Sequence, residues 1–206
     1  HFAVLHDGRE VAVKVLRPGM LRIIEQDLKL MRVLAGLVQR MAPDSRRLKP
    51  REVVETIAQS VELEMDLRFE AAAAAEMADN FAGDDTFVIP AVDWARTGSR
   101  VLTTERIDGF PINDVEGITA AGIDPKTVVE NAARAFFNQV FRDGFFHADL
   151  HPGNLFVMDG GAIGAVDFGI MGRVDKKTRR NLGEMLLGFL TRDYRRAAEV
   201  HFEAGW

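Results

Sequence analysis

His147-Ala148-Asp149-Leu150-His151-Pro152-Gly153-Asn154, followed by Leu155-Phe156-Val157 and then by Ala165-Val166-Asp167-Phe168-Gly169, is the stretch whose reading decides the fold. A nucleoside triphosphate carries several negative charges, so a site that handles one needs Mg²⁺, which takes hard oxygen ligands and keeps several waters. Asp167 and Asn154 are ligands of that kind, and Asp149 remains as the carboxylate that accepts a proton from an attacking hydroxyl or orients a water. Residues 163–166, apolar apart from Gly164, read as a short buried strand, and Gly169 is expected to supply the sharp turn after the metal ligand. Asp-Phe-Gly alone is a weak signal, because an Asp shortly before a Gly occurs in many ordinary turns. His-x-Asp-x-x-x-x-Asn with Asp-Phe-Gly downstream, in that order, is far more specific. Alternating His147, Asp149 and His151 also admits a zinc reading. The loop pattern accounts for all three, and Mg²⁺ with nucleotide is the expected metal.

Composition narrows the classes. With 206 residues and 47% hydrophobic side chains the chain can bury a core, which suits one domain of two lobes or a large part of one. The absence of cysteine removes disulfides, thiolate metal sites and cysteine nucleophiles together, and fits a reducing compartment. A formal charge of -5 argues against a nucleic-acid footprint, which is normally basic. No apolar run approaches the roughly 20 residues needed to cross a bilayer, and the start lacks a signal-peptide layout. The chain opens in a strand pattern without Met and stops just after a helical one, so it reads as a fragment of a longer protein.

Residues 2–5 and 10–16 flank His6-Asp7-Gly8-Arg9 and predict a β-hairpin, since Asp-Gly between two β-rich runs is a strong turn signal. Val11, Val13 and Val15 then share one face, while Lys14 points the other way with Ala12, whose small side chain leaves room for a flat ligand. The alternative is a solvated lysine on a half-buried strand. Helical spacing follows over residues 21–41 (Ile24, Leu28, Met31, Leu34, Val38), ended by Ala42-Pro43-Asp44-Ser45, and a second helix is expected from Pro50 to about residue 80. That helix carries Glu64-Met65-Asp66-Leu67-Arg68-Phe69-Glu70 and then five alanines. Glu70 and Asp66, four apart, repel unless cations meet them; a solvated acidic face is the plain alternative. The alanines permit close approach of another element, and Glu70 is the candidate partner for Lys14.

Residues 88–92 and 101–105 read as a strand pair around a polar turn, and residues 106–111 as a linker. Asp124-Pro125 starts a helix with an N-cap and a proline at its first position. Its apolar stripe of Val128, Val129, Ala132, Phe136, Phe137 and Val140 is expected in the core, with Gly144 as its stop. Basic residues 173–180 lead into a last helix, with a solvated face expected and contact with anionic lipid as the alternative.

Val11-Ala12-Val13-Lys14-Val15, the loop from Asp149 to Asn154 and Asp167-Phe168-Gly169 together resemble the protein-kinase-like fold. The fold implied is α+β and two-lobed: a small β-rich N-lobe with an inserted helix over residues 1–106, and a mainly helical C-lobe over residues 107–206. The resemblance assigns Lys14 to gripping nucleotide, Glu70 as its helix partner, Asp149 as the catalytic-loop carboxylate, and Asn154 and Asp167 as metal ligands, with ATP and Mg²⁺ as cofactors. It also places Ala12 and the backbone of Glu105 and Ile107 beside the adenine.

Within that fold the motifs are similar to those of the UbiB family, also called AarF or ADCK, whose members serve ubiquinone biosynthesis. Lys14 and Glu70 lie 56 positions apart, which leaves room for the extra helix. Glu64-Met65-Asp66 resembles the family's Glu-x-Asp motif, a regulatory element that blocks the protein-substrate groove. Asp167-Phe168-Gly169-Ile170-Met171-Gly172-Arg173 is expected to go straight into a helix, with no long activation segment and no Ala-Pro-Glu motif. The resemblance implies ATP turnover coupled to a lipid or quinone precursor, biosynthetic partner proteins, no nucleic acid, and a place at the cytoplasmic face of a bacterial inner membrane through segments outside these residues. Two other readings stand beside it: a small-molecule phosphotransferase of the aminoglycoside or choline kinase type, and a nucleotide-binding pseudokinase scaffold.

Overall fold

The chain divides into two compact units, each with strands and helices: His1–Ala72 with Val92–Arg106, and Ala73–Ala91 with Ile107–Trp206. The computed structural model describes residues 1–41 and 47–205, and of residues 62–64 the backbone alone.

In the first unit β1 (Phe2–Val4) and β2 (Glu10–Val15) form the expected antiparallel hairpin, with Phe2 opposite Ala12. Gly8 turns it in the left-handed region at φ 87°. Helices α1 (Met20–Met41) and α2 (Pro50–Glu64) pack together. Leu28, Ala35 and Gly36 are the buried residues of α1, whereas Met31, Leu34 and Val38 of the expected stripe are exposed. Small residues set this choice, since Gly36 lets Arg51 approach to within 3.0 Å of where a Cβ would sit. Ala42 to Ser45, the expected stop of α1, lie outside the described residues.

The single long helix expected from Pro50 to residue 80 is two helices. The chain leaves helical geometry at Met65 and Asp66, and α3 (Leu67–Asn80) starts afresh. Asp66 explains the break, because its carboxylate accepts the Arg68 backbone N–H at 3.1 Å, a local bond that competes with a continuing helix. The Leu67 N–H donates to the Ser99 carbonyl at 3.0 Å.

Strand β3 (Phe87–Val88) belongs to the second unit, and β4 (Val101–Glu105) to the first, where it pairs with β2. The expected hairpin between them is therefore absent, and one isolated bridge, Val92 to Thr104, is what joins the two segments. Pro90 contributes here, having no N–H to offer a ladder. Residues 73–91, which the sequence groups with the first half, follow β3 into the second unit. There the rings of Phe81 and Phe87 meet at 4.7 Å.

The stretch expected as a linker ends in β5 (Phe110–Pro111), and the division between units falls between Arg106 and Ile107. Helix α4 (Val115–Ala120) follows, then α5 (Pro125–Phe137), opened by Asp124, whose carboxylate accepts the Lys126 N–H. The chain continues into a π-helical turn at Asn138–Asp143, closed by Gly144 at φ 67°. Val128 and Val140 are buried as expected, but Val129, Phe136 and Phe137 are exposed, and Asn131, Ala135 and Gln139 take the interior. Asn131 earns its place by donating to the Gly161 carbonyl at 2.9 Å.

Next come β6 (Phe145–His147), β7 (Leu155–Val157), β8 (Ile163–Ala165) and β9 (Met171–Arg173). One sheet has the order β3-β8-β7-β5, and β6 pairs antiparallel with β9. Ile163 and Ala165 are fully buried, as the apolar run predicts, while Val166 at its end is half-buried and past the strand; Val157 of β7 is fully buried as well. Helices α6 (Lys176–Leu190), capped by Asp175, and α7 (Tyr194–Ala204) pack as a pair. The second half of α3 is tied within this unit. Glu76 forms a two-pronged bond with Arg173 at 2.7 and 2.5 Å, and Arg142 donates to the Asn80 carbonyl at 2.8 Å. Arg173 also lies over the Phe145 ring at 4.3 Å.

Two predictions follow from these contacts. A Cβ at Gly144 would sit 2.6 Å from the Val174 carbonyl, whereas one at Gly8 meets open space. Gly144→Ala should therefore cost about 3 kcal/mol or more, against about 1 kcal/mol for Gly8→Ala, in urea denaturation; equal losses would show that the Val174 contact carries no cost. Arg173 hydrogen bonds hold the Glu76 carboxyl below its usual range. A lowered carboxylate stabilises the fold above its unfolded pKa and loses that contribution as pH falls through the folded one. Glu76→Gln should accordingly destabilise by less than about 1 kcal/mol at pH 7, the pair being exposed, and the difference from the unmodified protein should vanish in acid below the usual carboxylate range. A difference that persists there would refute the ionic origin.

Candidate functional site

The residues singled out from the sequence fall into two clusters, one in each unit. In the first, Lys14 Nζ donates to both carboxylate oxygens of Glu70 at 2.9 Å. The strand ladder explains why they meet. Lys14 pairs with Leu102, and directly paired residues of an antiparallel ladder share a face. Leu102 packs with Leu67 and Ala71 of α3, so α3 lies on the face that Lys14 occupies. Ala71 is fully buried, and its small side chain permits the approach that brings Glu70, one residue earlier, to the ammonium. Glu70 is 7% exposed while the Lys14 side chain is 46% exposed. The carboxylate is thus shielded and the lysine reaches solvent.

Ala12 is half-buried on β2 opposite Thr104, and Glu105 closes β4 opposite Val11. Ile107 opens the second unit, where its side chain lies against Gly164. Asp66, which precedes α3 and so is not the helical neighbour of Glu70 that the spacing suggests, binds the Arg68 guanidinium, which holds its carboxyl below the usual range. The Glu64 side chain lies outside the described residues.

The second cluster is a closed ring of hydrogen bonds. The Asp149 N–H donates to His147 Nδ1 at 3.2 Å, and the other ring nitrogen lies 3.1 Å from the Val166 carbonyl. Because a backbone N–H can only donate, Nδ1 is the acceptor, so the imidazole proton sits on Nε2 and goes to Val166. The Val166 N–H in turn donates to the Asn154 carbonyl at 2.9 Å. Asn154 closes the ring by donating its side-chain amide to the Asp149 carbonyl at 3.1 Å, with the Asp149 carboxylate 3.4 Å away. His147 is 1% exposed, and Phe168 packs edge-on against it at 5.4 Å.

This ring answers the metal question for His147. Both of its nitrogens are committed, and among the described residues no group of three or more His, Cys, Asp or Glu side chains gathers in metal-binding fashion. His151 likewise uses Nδ1 to accept the Gly153 N–H at 3.1 Å. For Mg²⁺ the donor set is suitable: with its nitrogen given to Asp149, Asn154 has its carbonyl oxygen to offer, and Asp167 has a carboxylate. Asp167 itself takes the left-handed conformation, φ 63°. The turn assigned to Gly169 alone thus begins at the aspartate, a residue type that tolerates this region better than most.

The sequence reading did not single out Gln139. It is 1% exposed, and its side-chain oxygen accepts the His147 N–H at 2.9 Å. A polar residue beside Val140 on an apolar stripe was its one visible trace.

With the geometry in place, a family model described as the ABC1 atypical kinase-like domain matches residues 1–201. The chain belongs to this family. Its fold is protein-kinase-like. Among solved structures the chain is similar to Rv3197 of Mycobacterium tuberculosis in complex with erythromycin, at 28% identity and a TM-score of 0.78, covering 100% of this chain and 51% of that one. The chain thus spans about half the length of that relative. It also aligns with the bifunctional kinase-methyltransferase WbdD at 20% identity and a TM-score of 0.32, covering 59% of this chain and 28% of that one. No helix among the described residues is long and apolar enough to cross a membrane.

The Lys14–Glu70 pair supplies a stability test. Lys14→Met takes a cation from a shielded carboxylate; since water reaches the lysine, the expected loss is about 1–2 kcal/mol. Adding Glu70→Gln should recover roughly half of it. A double-mutant cycle by chemical denaturation reads the coupling, and a coupling of zero would mean that the pair contributes nothing to folding.

Proposed function

We propose that this chain is the catalytic part of a Mg²⁺-dependent, ATP-using phosphotransferase or ATPase of the UbiB type, serving ubiquinone biosynthesis. The observation that carries the reading is the hydrogen-bonded ring through His147, Asp149, Asn154 and Val166. It holds the candidate base and one candidate metal ligand on a single rigid frame, and its fourth member immediately precedes the other ligand, Asp167. Phosphoryl transfer asks mainly for positioning and charge neutralisation, which such a frame supplies.

In this proposal Mg²⁺, held by Asn154 and Asp167, neutralises phosphate charge when bound. Lys14, steadied by Glu70, grips the nucleotide phosphates, and Ala12 with the backbone of Glu105 and Ile107 faces the adenine. Asp149 takes the proton of the attacking hydroxyl or orients a water. The proposed acceptor side is a lipid or quinone precursor, at the cytoplasmic face of a bacterial inner membrane and together with other proteins of that biosynthesis. Glu64 and Asp66 are the proposed regulatory motif that keeps protein substrates away. Family membership over residues 1–201 supports the ATP-using part.

Transfer to a soluble small molecule is the second reading, supported by the relative solved with erythromycin. Full-length protein assayed with Mg²⁺ and ATP, with and without anionic liposomes and a phenolic quinone-precursor mimic, separates the two. The expected outcome is turnover that rises with lipid and falls at least about a hundredfold in Asp167→Asn, together with failure of that variant to restore quinone levels in a deficient cell. Labelled phosphate appearing on erythromycin or an aminoglycoside, with quinones unaffected, would establish the second reading; nucleotide binding without turnover in any condition would leave a scaffold.

A further inference from the structure

Gln139 is a buried polar side chain for which the mechanism above has no use. It sits one residue into a π-helical turn, Asn138–Asp143, at the end of α5. Such turns are rare and cluster at functional sites, because the wider turn re-aims the residues that follow. Here two consecutive residues, Gln139 and Val140, are both buried. Val140 fills apolar space; Gln139 spends its oxygen on a single backbone group, the N–H of His147.

His147 is the hub of the ring. Its two nitrogens join Asp149 to Val166, and its ring supports Phe168. Strand β6 brings His147 in, but its ladder with β9 pairs His147 with Met171, at the very end of the two-stranded sheet. Just past it the Ala148 N–H donates to the Ile170 carbonyl at 3.0 Å, and the Gln139 bond is a second tie at this strand end, where pairing is most open to fraying. The Gln139 bond fixes the backbone of the residue from which Asp149 and Val166 are both held.

We propose that Gln139 is a positioning residue: its side-chain oxygen sets the backbone of His147, and through the imidazole it sets Asp149 against Asn154. The proposal rests on the reading of Asp149 as the loop carboxylate. It assigns the π turn a purpose, namely to carry an amide oxygen inward at a point where a regular helix would continue its alternation of buried and exposed positions. Gln139 touches no reacting group, and its effect belongs in turnover and not in nucleotide affinity.

The test uses full-length protein with Gln139→Met, which keeps length and volume but offers no oxygen, and Gln139→Glu, which retains one. In Gln139→Met the expected result is a kcat for Mg²⁺-ATP turnover lowered at least about tenfold, with the KM for ATP within about twofold. Hydrogen exchange of the His147 amide should accelerate about tenfold or more, while the amide of Ile163 in the core of the same unit stays protected. Gln139→Glu should keep kcat within about threefold and shift the His147 amide resonance. Unchanged kcat in Gln139→Met, or lowered kcat with unaltered His147 exchange, overturns the proposal. If Gln139→Met does not fold, the Glu variant decides: a shifted His147 amide with KM unchanged supports the assignment, and an unmoved His147 amide refutes it. Absence of ATP turnover in the unmodified protein would sink the functional reading, and His147 exchange would still report whether Gln139 holds the loop.

Discussion

The second unit depends on one imidazole. Buried and neutral at its working tautomer, His147 accepts from one loop and donates to another, so that the stretch carrying Asp149 and Asn154 and the stretch leading to Asp167 cannot shift independently. A buried ring with both nitrogens satisfied is stable in place, whereas one left unmatched would bear the full desolvation cost of a polar atom. The satisfied arrangement therefore selects a single loop geometry. Phe168 packs edge-on against the ring, and Asp167 next to it takes the left-handed backbone conformation.

The first unit solves a different problem, how to keep a carboxylate shielded without stranding it. Small residues make that possible. Ala71 lets α3 settle on the sheet, and Glu70 then lies where Lys14 can bridge it. A bulkier side chain at position 71 would hold the helix off and separate the two charges. The later part of α3 is secured by quite other means, an exposed Glu76–Arg173 pair and the Arg142 bond to the helix end. The first turns of α3 thus combine apolar contact at Leu67 and Ala71 with the Glu70–Lys14 pair, whereas the later turns rely on ionic contact and hydrogen bonding.

Local signals served well wherever the determining physics was local. The Asp-Gly hairpin and the Asp124-Pro125 helix start rest on interactions within a few residues, and the strand before Asp167 shows in its own run of apolar residues. Failures came where a residue had a choice of partners. Asp66 broke a helix that periodicity alone would have continued, since its carboxylate preferred the Arg68 N–H. Residues 87–88 joined a parallel strand far along the chain instead of the neighbouring one. The stripe of α5 pointed partly to solvent, because Asn131 and Gln139 had better internal hydrogen bonds than Phe136 and Phe137 had apolar neighbours.

By itself the sequence determined which groups are available: an ordered set of carboxylates, an amide and a lysine whose spacing is improbable outside a kinase-like fold, and no cysteine. It also determined the α+β class, because strand alternation and helical periodicity are written into consecutive residues. Only the tertiary structure decided which of those groups touch. Lys14 meets Glu70 across 56 positions, and Gln139 meets His147 through a turn that no periodicity predicts. The reason is that a hydrogen bond between residues distant in sequence depends on backbone placement to within a few tenths of an ångström, and that placement is set by packing, not by the identity of the two residues that it joins.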